Sequence, residues 1–344
     1  MIKILHIVGA RPQFIKLFPL HLEMKERGFN QKILHTGQHF DKNMSDVFFN
    51  EMGIPQPDFN LNIHSLSHGA MTGRMIEGIE NILLNESFDY VIVYGDTNST
   101  AAGAIAAKKL KIKVIHIEAG LRNFDNEMPE ELNRLITDKI SDLLFCPTEH
   151  CVNNLRTENA NNVYYTGDLM YDNIKIFKNK LTPSHKPYML FTCHRAENTN
   201  KKTLTEIIET LNIISKDIDI IFPIHPRTKQ ILDKLSITPN FKCIPPSSYL
   251  EFLQLLNGSK YLITDSGGAV KEAYFLNKPS ILLLEKPVWS ELVEEGVCYN
   301  CKSNKQSILD AFNKIKYKKI NFNESIFGDG NSRKYICDII KNYE

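Results

Sequence analysis

The sequence of 344 residues predicts an α/β protein made of two doubly wound halves, each with a parallel sheet. Short apolar runs of strand length recur along the chain, and segments with helical spacing separate most of them. The same alternation restarts after a polar stretch with two prolines, NKLTPSHKP, at 179–187. Alternating strands and helices indicate parallel strands joined by crossover helices. The chain length also exceeds what one hydrophobic core usually supports.

The predicted strands are short apolar runs bounded by turn residues. They are residues 2–8, 31–36, 90–94, 113–117, 143–146 and 163–166 in the first half, and 188–192, 218–224, 241–244, 261–264 and 280–284 in the second. Helical spacing predicts helices at residues 14–28, 70–85, 100–110, 203–215 and 249–257. A final amphipathic stretch at 332–343 predicts a terminal helix.

Composition limits the classes of partner. With 41 Lys+Arg against 40 Asp+Glu, the chain has no basic surplus, so neither nucleic acid nor a membrane is the expected partner. No apolar run approaches the ~20 residues that span a bilayer, and no signal peptide is recognisable, so we expect a cytoplasmic protein. Its 7 cysteines fit a reducing compartment, and Cys298 and Cys301 are interpreted as ordinary thiols rather than a metal site.

Ligands of open parallel sheets bind at the carboxyl ends of the strands. The first strand is followed by GARPQFIK, in which Arg11 and Lys16 lie near a helix N-terminus and could bind phosphate. The alternative is that Arg11 is salt-bridged and Lys16 solvated. Neither a P-loop nor a G-x-G-x-x-G motif is present in the sequence.

Acidic residues follow the third and fourth predicted strands. IVYGDTNSTAAG places Asp96 just after a strand, where it could act in catalysis or simply cap the next helix. HIEAGLR and MPEELNR follow with Glu118, Glu130 and Glu131. Carboxylates gathered at one sheet edge repel each other, and such a cluster can supply a general acid and a general base.

The second half carries basic and glycine-rich strand ends. Its first two predicted strands are followed by His194, Arg195, His225 and Arg227. TDSGGAVKEA then places Ser266, Gly267 and Gly268 at a strand-to-helix turn, where backbone N–H groups can approach a phosphate. An isolated Ser-Gly-Gly is a weak signal, but its position at a strand end strengthens it.

Several of these motifs occur together in one family. The ordered series GARPQFIK, TGQH, YGDTNST, HIEAGLR, MPEELNR, PTE, TGD, CHRAEN, TDSGG and KEA resembles the bacterial non-hydrolysing UDP-N-acetylglucosamine 2-epimerases and relatives acting on other UDP-2-acetamido sugars. The resemblance implies a GT-B-like fold of two Rossmann-type domains with an interdomain cleft. It implies a carboxylate-rich domain at 1–170, a UDP-binding domain at 171–330, and a helix at 331–344 that returns to the first domain.

The resemblance also implies a reaction. The family inverts C2 of UDP-GlcNAc to give UDP-ManNAc by eliminating UDP, which leaves a 2-acetamidoglucal, and adding it back. No metal or other cofactor is expected, and the partners implied are the UDP-sugar and a second copy in a homodimer. Synthesis of surface polysaccharide precursors is the implied pathway.

Roles for individual residues follow from the matching motifs. The implied catalytic residues are Asp96, Glu118, Glu130 and His194. The implied UDP-sugar ligands are Arg11, Lys16, His225, Phe252, Ser266, Gly267, Gly268 and Glu272. Phe252 would lie against uracil and Glu272 would accept hydrogen bonds from the ribose, although the apolar LEFLQLL segment also allows Phe252 to be plain helix core.

The sequence departs from the family pattern in the nucleotide region. LLLEKPVWSE has Leu284 where relatives carry an arginine that helps to bind UDP, and Pro287 and Val288 replace Thr and Glu. Val270 stands where many relatives have glutamine. A second, activating substrate site would involve Gln38, His39 and Arg195. The Arg-Gln pair of such sites is missing from HSLSHGAMTGR, so we expect no strict activation by substrate.

Three alternatives to UDP-GlcNAc epimerisation stay open. The departures near the nucleotide are consistent with a modified substrate such as UDP-2,3-diacetamido-glucuronic acid. A GT-B glycosyltransferase would explain Ser-Gly-Gly and Glu272 but not the carboxylate cluster. A non-catalytic binder of nucleotide sugars would explain the missing arginine but not the retained carboxylates.

Overall fold

The computed structural model describes residues 1–38, 51–125, 127–184, 186–322 and 325–343, apart from the side chain of Arg227. The chain divides into two compact units. One consists of Met1–Ile176 together with Ser325–Glu344, and the other of Phe177–Glu324. The unit boundary therefore falls at 176/177, six residues after the predicted domain boundary at 170, and lies near the end of a helix.

The first unit contains a seven-stranded sheet of order β3-β2-β1-β4-β5-β6-β7, in which all pairs are parallel. Its strands are β1 (Lys3–Val8), β2 (Asn30–His35), β3 (Phe59–Asn60), β4 (Tyr90–Tyr94), β5 (Lys113–Ile117), β6 (Leu143–Cys146) and β7 (Val163–Tyr165). Its helices are α1 (Arg11–Glu26), α2 (His68–Asn85), α3 (Asn98–Lys109), α4 (Pro129–Ile140), α5 (Glu149–Thr157) and α6 (Leu169–Phe177). The strand order reverses between β1 and β4.

The second unit contains a six-stranded sheet of order β10-β9-β8-β11-β12-β13, again with parallel pairs. Its strands are β8 (Tyr188–Thr192), β9 (Asp219–Pro223), β10 (Lys242–Ile244), β11 (Tyr261–Thr264), β12 (Ser280–Leu282) and β13 (Cys298–Asn300). Its helices are α7 (Ala196–Thr199), α8 (Lys201–Ile214), α9 (Pro226–Lys234), α10 (Tyr249–Gly258), α11 (Gly267–Phe275), α12 (Ser290–Glu294) and α13 (Lys305–Tyr317). Here the order reverses between β8 and β11.

The prediction of two parallel α/β sheets is confirmed. Strands β4, β5, β6, β8 and β11 have the predicted bounds. Sequence patterns missed β3 and β13, which have 2 and 3 residues and lie at sheet edges, because so short a segment has no periodicity. Among the described residues, none of the helices is both long and apolar enough to cross a membrane.

Close packing of α3 sets the position of the loop after β4. Gly103 of α3 lies directly on the sheet, and a Cβ at this residue would come within 2.8 Å of Ile7 and 2.9 Å of Val93. Those two side chains are completely buried on β1 and β4. The helix can therefore approach the two central strands only because a side chain is absent here.

The terminal helix α14 (Ser332–Asn342) packs against α1 in the first unit. Arg27, which follows α1, pairs with Asp338, and Arg333 pairs with Glu23 at 3.3 Å. The α14 N-terminus is held by Asp172, a fully buried residue of α6 whose carboxylate accepts hydrogen bonds from the backbone N–H groups of residues 332 and 333 at 3.0 and 2.9 Å. One carboxylate thus satisfies two N–H groups that the helix itself leaves unpaired.

The buried Asp172 carboxyl should make stability depend on pH. Burial raises its pKa from an ordinary 3.8 to about 6, although the N–H groups and the Arg333 guanidinium oppose the shift. Because the folded state holds this proton more tightly, the contribution of Asp172 to the free energy of unfolding is largest below pH ~4 and declines through pH ~6. The loss should be about 2 kcal/mol, relative to Asp172→Asn, between pH 4 and pH 7.

Urea unfolding of both proteins across this range measures the difference. Asp338→Asn, which removes an exposed carboxylate from the same helix, is the matched control and should show no comparable decline. A difference between wild type and Asp172→Asn that stays constant from pH 4 to pH 7 would contradict the assignment.

Candidate active site

The candidate residues of the first unit lie where its strand order reverses, between β1 and β4. Gln13 joins the two strand ends. Its Oε1 accepts hydrogen bonds from the N–H groups of Gly9 and Ala10 at 2.7 and 3.0 Å, while its Nε2 donates to the carbonyl of Tyr94 at 2.8 Å and to Thr100 Oγ1 at 3.0 Å. Such a reversal point is where open α/β sheets bind ligands.

Arg11 begins α1 in this loop and is half-buried. Gln38 follows β2, and its Oε1 accepts hydrogen bonds from the backbone N–H and the hydroxyl of Ser99 at 3.1 and 2.7 Å. Gln38 therefore braces the first turn of α3. His39, the other predicted second-site residue of this segment, lies outside the described residues.

Asp96 forms an ion pair at the end of β4. Arg134 of α4 donates to its Oδ2 from Nη2 at 2.5 Å and from Nε at 3.0 Å, and the arginine side chain is only 4% exposed. The alternative that Asp96 caps the following helix is wrong, because Thr97 is the N-cap of α3 and forms a capping box with Thr100. Asp96, with a side chain 27% exposed, thus keeps its carboxylate outside the helix cap.

Glu118 lies one strand further along, directly after β5. Its Oε1 pairs with Lys16 Nζ at 2.7 Å, and both side chains are at least nine-tenths buried. The predicted phosphate ligand Lys16 therefore contacts a catalytic candidate. Glu118 has a φ of +68°, a left-handed conformation that is uncommon for a residue with a side chain and concentrates at functional sites.

The two adjacent glutamates of MPEELNR have different surroundings. Glu131 is 1% exposed, and its carboxylate accepts hydrogen bonds from the N–H groups of residues 123 and 124 and from Arg134 Nη1 at 2.7 Å. Glu130 is exposed on the first turn of α4. Glu131 therefore fixes the loop before α4, and Glu130 is free of that structural task.

The sequence suggested carboxylates that repel each other, but the structure gives two of them a cation. Arg134 pairs with Asp96, and Lys16 pairs with Glu118. These cations come from the helices that follow β5 and β1, so the sequence alone did not pair them. An ion pair in a partly buried site offsets the repulsion between neighbouring carboxylates.

His194 and Asp265 occupy the reversal point of the second sheet, after β8 and β11. His194 Nδ1 lies 3.1 Å from Asp265 Oδ1, and the backbone N–H groups of His194 and Arg195 donate to Oδ2 at 2.9 Å. Burial alone would raise the pKa of Asp265, but its contact with His194 and these N–H groups lower it to about 2. A buried anion therefore orients the half-exposed imidazole.

The Ser-Gly-Gly turn begins helix α11. Ser266 is its N-cap and accepts a hydrogen bond from the N–H of Ala269 at 3.3 Å. Glu272, in the same helix, is 4% exposed, and Phe252 of α10 is 7% exposed. His225 is exposed just before α9, and the side chain of Arg195 lies 3.5 Å from Glu197. These positions were predicted as ligands from sequence, and their ligand roles stay predictions.

The segment with the missing arginine packs on this helix. A Cβ at Gly267 would lie 3.4 Å from the Val288 side chain, and Trp289 is 3% exposed. The ammonium of Lys271, itself 2% exposed, lies 4.2 Å from the centre of the Trp289 ring. Leu284 is half-buried at the end of β12. A cation–π contact therefore anchors this segment to α11.

Sequence patterns missed the residues that support these groups. Gln13, Asp265 and Arg134 each stand within a motif that drew attention for another residue. Asp265 directly precedes Ser-Gly-Gly in the sequence, and this position was the signal that could have identified it. Within the described residues, no three His, Cys, Asp or Glu side chains are grouped so as to hold a metal ion.

The chain is similar over nearly its whole length to named proteins. A sequence profile of the family described as "UDP-N-acetylglucosamine 2-epimerase" matches residues 22–341. A protein of Methanococcus maripaludis named "UDP-N-acetylglucosamine 2-epimerase homolog" is 47% identical over 99% of both chains. The UDP-2,3-diacetamido-2,3-dideoxy-D-glucuronate 2-epimerase of Pseudomonas aeruginosa is 41% identical over 98% of this chain and 99% of its own.

Solved structures agree with these matches. The crystal structure of Methanocaldococcus jannaschii UDP-GlcNAc 2-epimerase in complex with UDP-GlcNAc and UDP has a TM-score of 0.89 and 39% identity, covering 99% of this chain and 100% of that one. The GT-B-like fold class is thereby confirmed. From the matched profile, these identities and this fold, we conclude that the chain belongs to the UDP-N-acetylglucosamine 2-epimerase family.

Proposed function

We propose that this protein inverts C2 of a UDP-2-acetamido sugar, with UDP-GlcNAc and UDP-ManNAc as the first pair to test. The observation that carries the proposal is the pairing of Asp96 with Arg134 and of Glu118 with Lys16 at the ends of neighbouring strands. Family membership supports the same activity, since several relatives are named UDP-N-acetylglucosamine 2-epimerases.

The proposed reaction has two stages, elimination of UDP and its re-addition. First, a carboxylate removes the proton from C2 while the C1–O bond breaks, so that UDP leaves and a 2-acetamidoglucal remains. Then an acid returns a proton to the opposite face of C2, and UDP adds back to C1. The C2 hydrogen is not acidic by itself, so the departing diphosphate must be stabilised as it forms.

The first unit has the groups for proton transfer. Asp96 and Glu118 each lie beside a fixed cation, and both are candidate bases. Lys16 Nζ, 2.7 Å from Glu118, is also a candidate proton donor or phosphate ligand. We assign neither carboxylate to one face of the sugar, because their environments are alike in kind.

The second unit has the groups for diphosphate and nucleoside. The N–H groups at the start of α11 follow a serine cap and a residue without a side chain, an arrangement that suits phosphate. His194, held by Asp265, is a further donor to the departing phosphate or a proton carrier. Phe252 and Glu272 are proposed as contacts for the base and the ribose.

A modified sugar is the second candidate substrate. The diacetamido-glucuronate 2-epimerase of P. aeruginosa is 41% identical to this chain, close to the 42% of an M. maripaludis UDP-N-acetylglucosamine 2-epimerase. Overall similarity therefore does not separate the two substrates. We also propose the homodimer and the cytoplasmic location that the resemblance implies, the former testable by light scattering.

Proton NMR in deuterated water tests the reaction. The wild-type protein should place deuterium at C2 of UDP-GlcNAc or of UDP-2,3-diacetamido-glucuronic acid, and the better substrate should exchange faster. Asp96→Asn should lower the exchange about 10²- to 10⁴-fold, the range for loss of a general acid or base. Its free energy of unfolding should fall by less than about 1 kcal/mol, since Asp96 is 27% exposed and the buried Arg134 keeps its ion pair with Glu131.

Other outcomes identify the alternatives. Transfer of the sugar to an acceptor without exchange at C2 would favour a glycosyltransferase, and binding of UDP-GlcNAc without either would favour a non-catalytic binder. No C2 exchange across both sugars would refute the proposal.

The adjacent pair Glu130 and Glu131 gives a sharper test of site assignment. Glu130→Gln should lower C2 exchange at least about 100-fold with unchanged stability, because the side chain is exposed and lacks the loop contacts of its neighbour. Glu131→Gln should cost about 2 kcal/mol of unfolding free energy, because a buried acceptor of backbone N–H groups is weakened.

Two measurements on both variants test these roles: unfolding by heat or urea for stability, and NMR for C2 exchange. Equal exchange rates in Glu130→Gln and wild type would remove Glu130 from the catalytic set. A stable, inactive Glu131→Gln would move the catalytic role to the neighbouring residue.

A further inference from the structure

Two turns carry the candidate carboxylates of Asp96 and Glu118, and one buried side chain holds both turns. Gly95, just before Asp96, has a φ of +62°, while Glu118 and Gly120 have φ values of +68° and +80°. A Cβ at Gly120 would come within 2.4 Å of the carbonyl oxygen of Cys151. Backbone in this conformation needs contacts that hold it in place.

Asp138 of α4 provides these contacts. Its Oδ1 lies 2.6 Å from His116 Nδ1, and its Oδ2 accepts hydrogen bonds from the Gly120 N–H at 3.1 Å and from Arg122 Nη1 at 2.7 Å. His116 Nε2 lies 2.7 Å from the carbonyl oxygen of Gly95. One carboxylate therefore reaches both turns, one directly and the other through an imidazole.

The hydrogen bonds also define where the protons lie. A carbonyl oxygen only accepts, so His116 Nε2 carries a proton and donates to Gly95. Burial would raise the pKa of Asp138, but His116 and Arg122 lower it. A hydrogen bond joins Asp138 Oδ1 and His116 Nδ1 at 2.6 Å, and Arg122 is also bound through two nitrogens to Glu158.

This network has no part in proton transfer as proposed above. His116 is completely buried, and Asp138 is 3% exposed. Asp138 also lies one helical turn after Arg134, the partner of Asp96. The same helix therefore fixes the turn that carries Asp96 and supplies its cation.

We propose that Asp138 is a positioning residue for the epimerisation, which it serves by holding the turns of Asp96 and Glu118 through Gly120 and through the His116–Gly95 hydrogen bond. The inference rests on the proposed function. It adds to the proposed catalytic residues one residue that acts without contacting the sugar. Displacing catalytic groups by about 1 Å lowers rates about 10²-fold, whereas substrate affinity depends on other groups.

The test compares two substitutions of Asp138. Asp138→Ala removes the hydrogen bond to Gly120 and the one that orients His116, so kcat for C2 exchange should fall about 10- to 100-fold, with KM and the Kd of UDP within about twofold of wild type. Asp138→Asn preserves the geometry, because its NH₂ can donate to a neutral His116 Nδ1 while its oxygen accepts from Gly120 and Arg122. This variant should recover kcat to within a few-fold.

Asp142 provides the matched control. Its carboxylate also accepts one backbone N–H, that of Val114 at 2.8 Å, and pairs with Lys108 at 2.5 Å, but it does so at the amino end of β5. Asp142→Ala should leave kcat unchanged. An equal fall in kcat for Asp142→Ala and Asp138→Ala would reduce the effect to general destabilisation and overturn the proposal, as would an Asp138→Asn rate as low as that of alanine.

A spectroscopic measurement covers the case in which Asp138→Ala does not fold. In ¹⁵N-histidine-labelled wild type, His116 Nε2 should carry the proton that it donates to the Gly95 carbonyl, and Asp138→Asn should leave that proton on Nε2. An unprotonated Nε2 in wild type would overturn the network. Absence of C2 exchange in wild type refutes the proposed function, whereas normal wild-type exchange with an unchanged Asp138→Ala rate refutes the positioning role alone.

Discussion

Parallel pairing of the strands is the constraint on which the placement of every candidate group depends. Tyr94 and Ile117, the last residues of β4 and β5, are paired partners, so Asp96 and Glu118 leave the sheet side by side. Thr192 and Thr264 end β8 and β11 in the same way, and their hydroxyls lie 2.6 Å apart. His194 and Asp265 follow them and meet for the same reason. Catalytic candidates far apart in sequence are thus brought together by register alone.

The same strand register places carboxylates close enough to repel each other, and the crossover helices supply cations that offset the repulsion. Carboxylates on adjacent strand ends are held close together in surroundings that screen charge poorly. In the first unit the cations come from α1, which follows β1, and from α4, which follows β5. Each helix therefore both covers the sheet and balances a charge at its edge. A fixed cation beside a partly buried carboxylate suits a group that must accept a proton from carbon.

The sequence could predict what depends on local pattern. Buried runs such as Tyr90–Tyr94 and Lys113–Ile117 were bounded correctly because a glycine or polar residues end them. Partners distant in sequence could not be predicted. Lys16 was expected at a phosphate and pairs with Glu118, 102 residues away, while Asp138 belonged to none of the motifs. The spacing of apolar residues predicts which face of a helix is buried. It does not predict which distant side chains contact that face, because tertiary packing decides those contacts.

The same reasoning applies to Leu284, where the family pattern has an arginine. Loss of that guanidinium removes one positive charge from the proposed diphosphate region, yet α11 retains two other sources. Its N-terminal N–H groups carry the positive end of the helix dipole, and the Lys271 ammonium is buried within its second turn against Trp289. The N–H groups at the start of α11 therefore keep positive potential at this turn without an arginine at position 284.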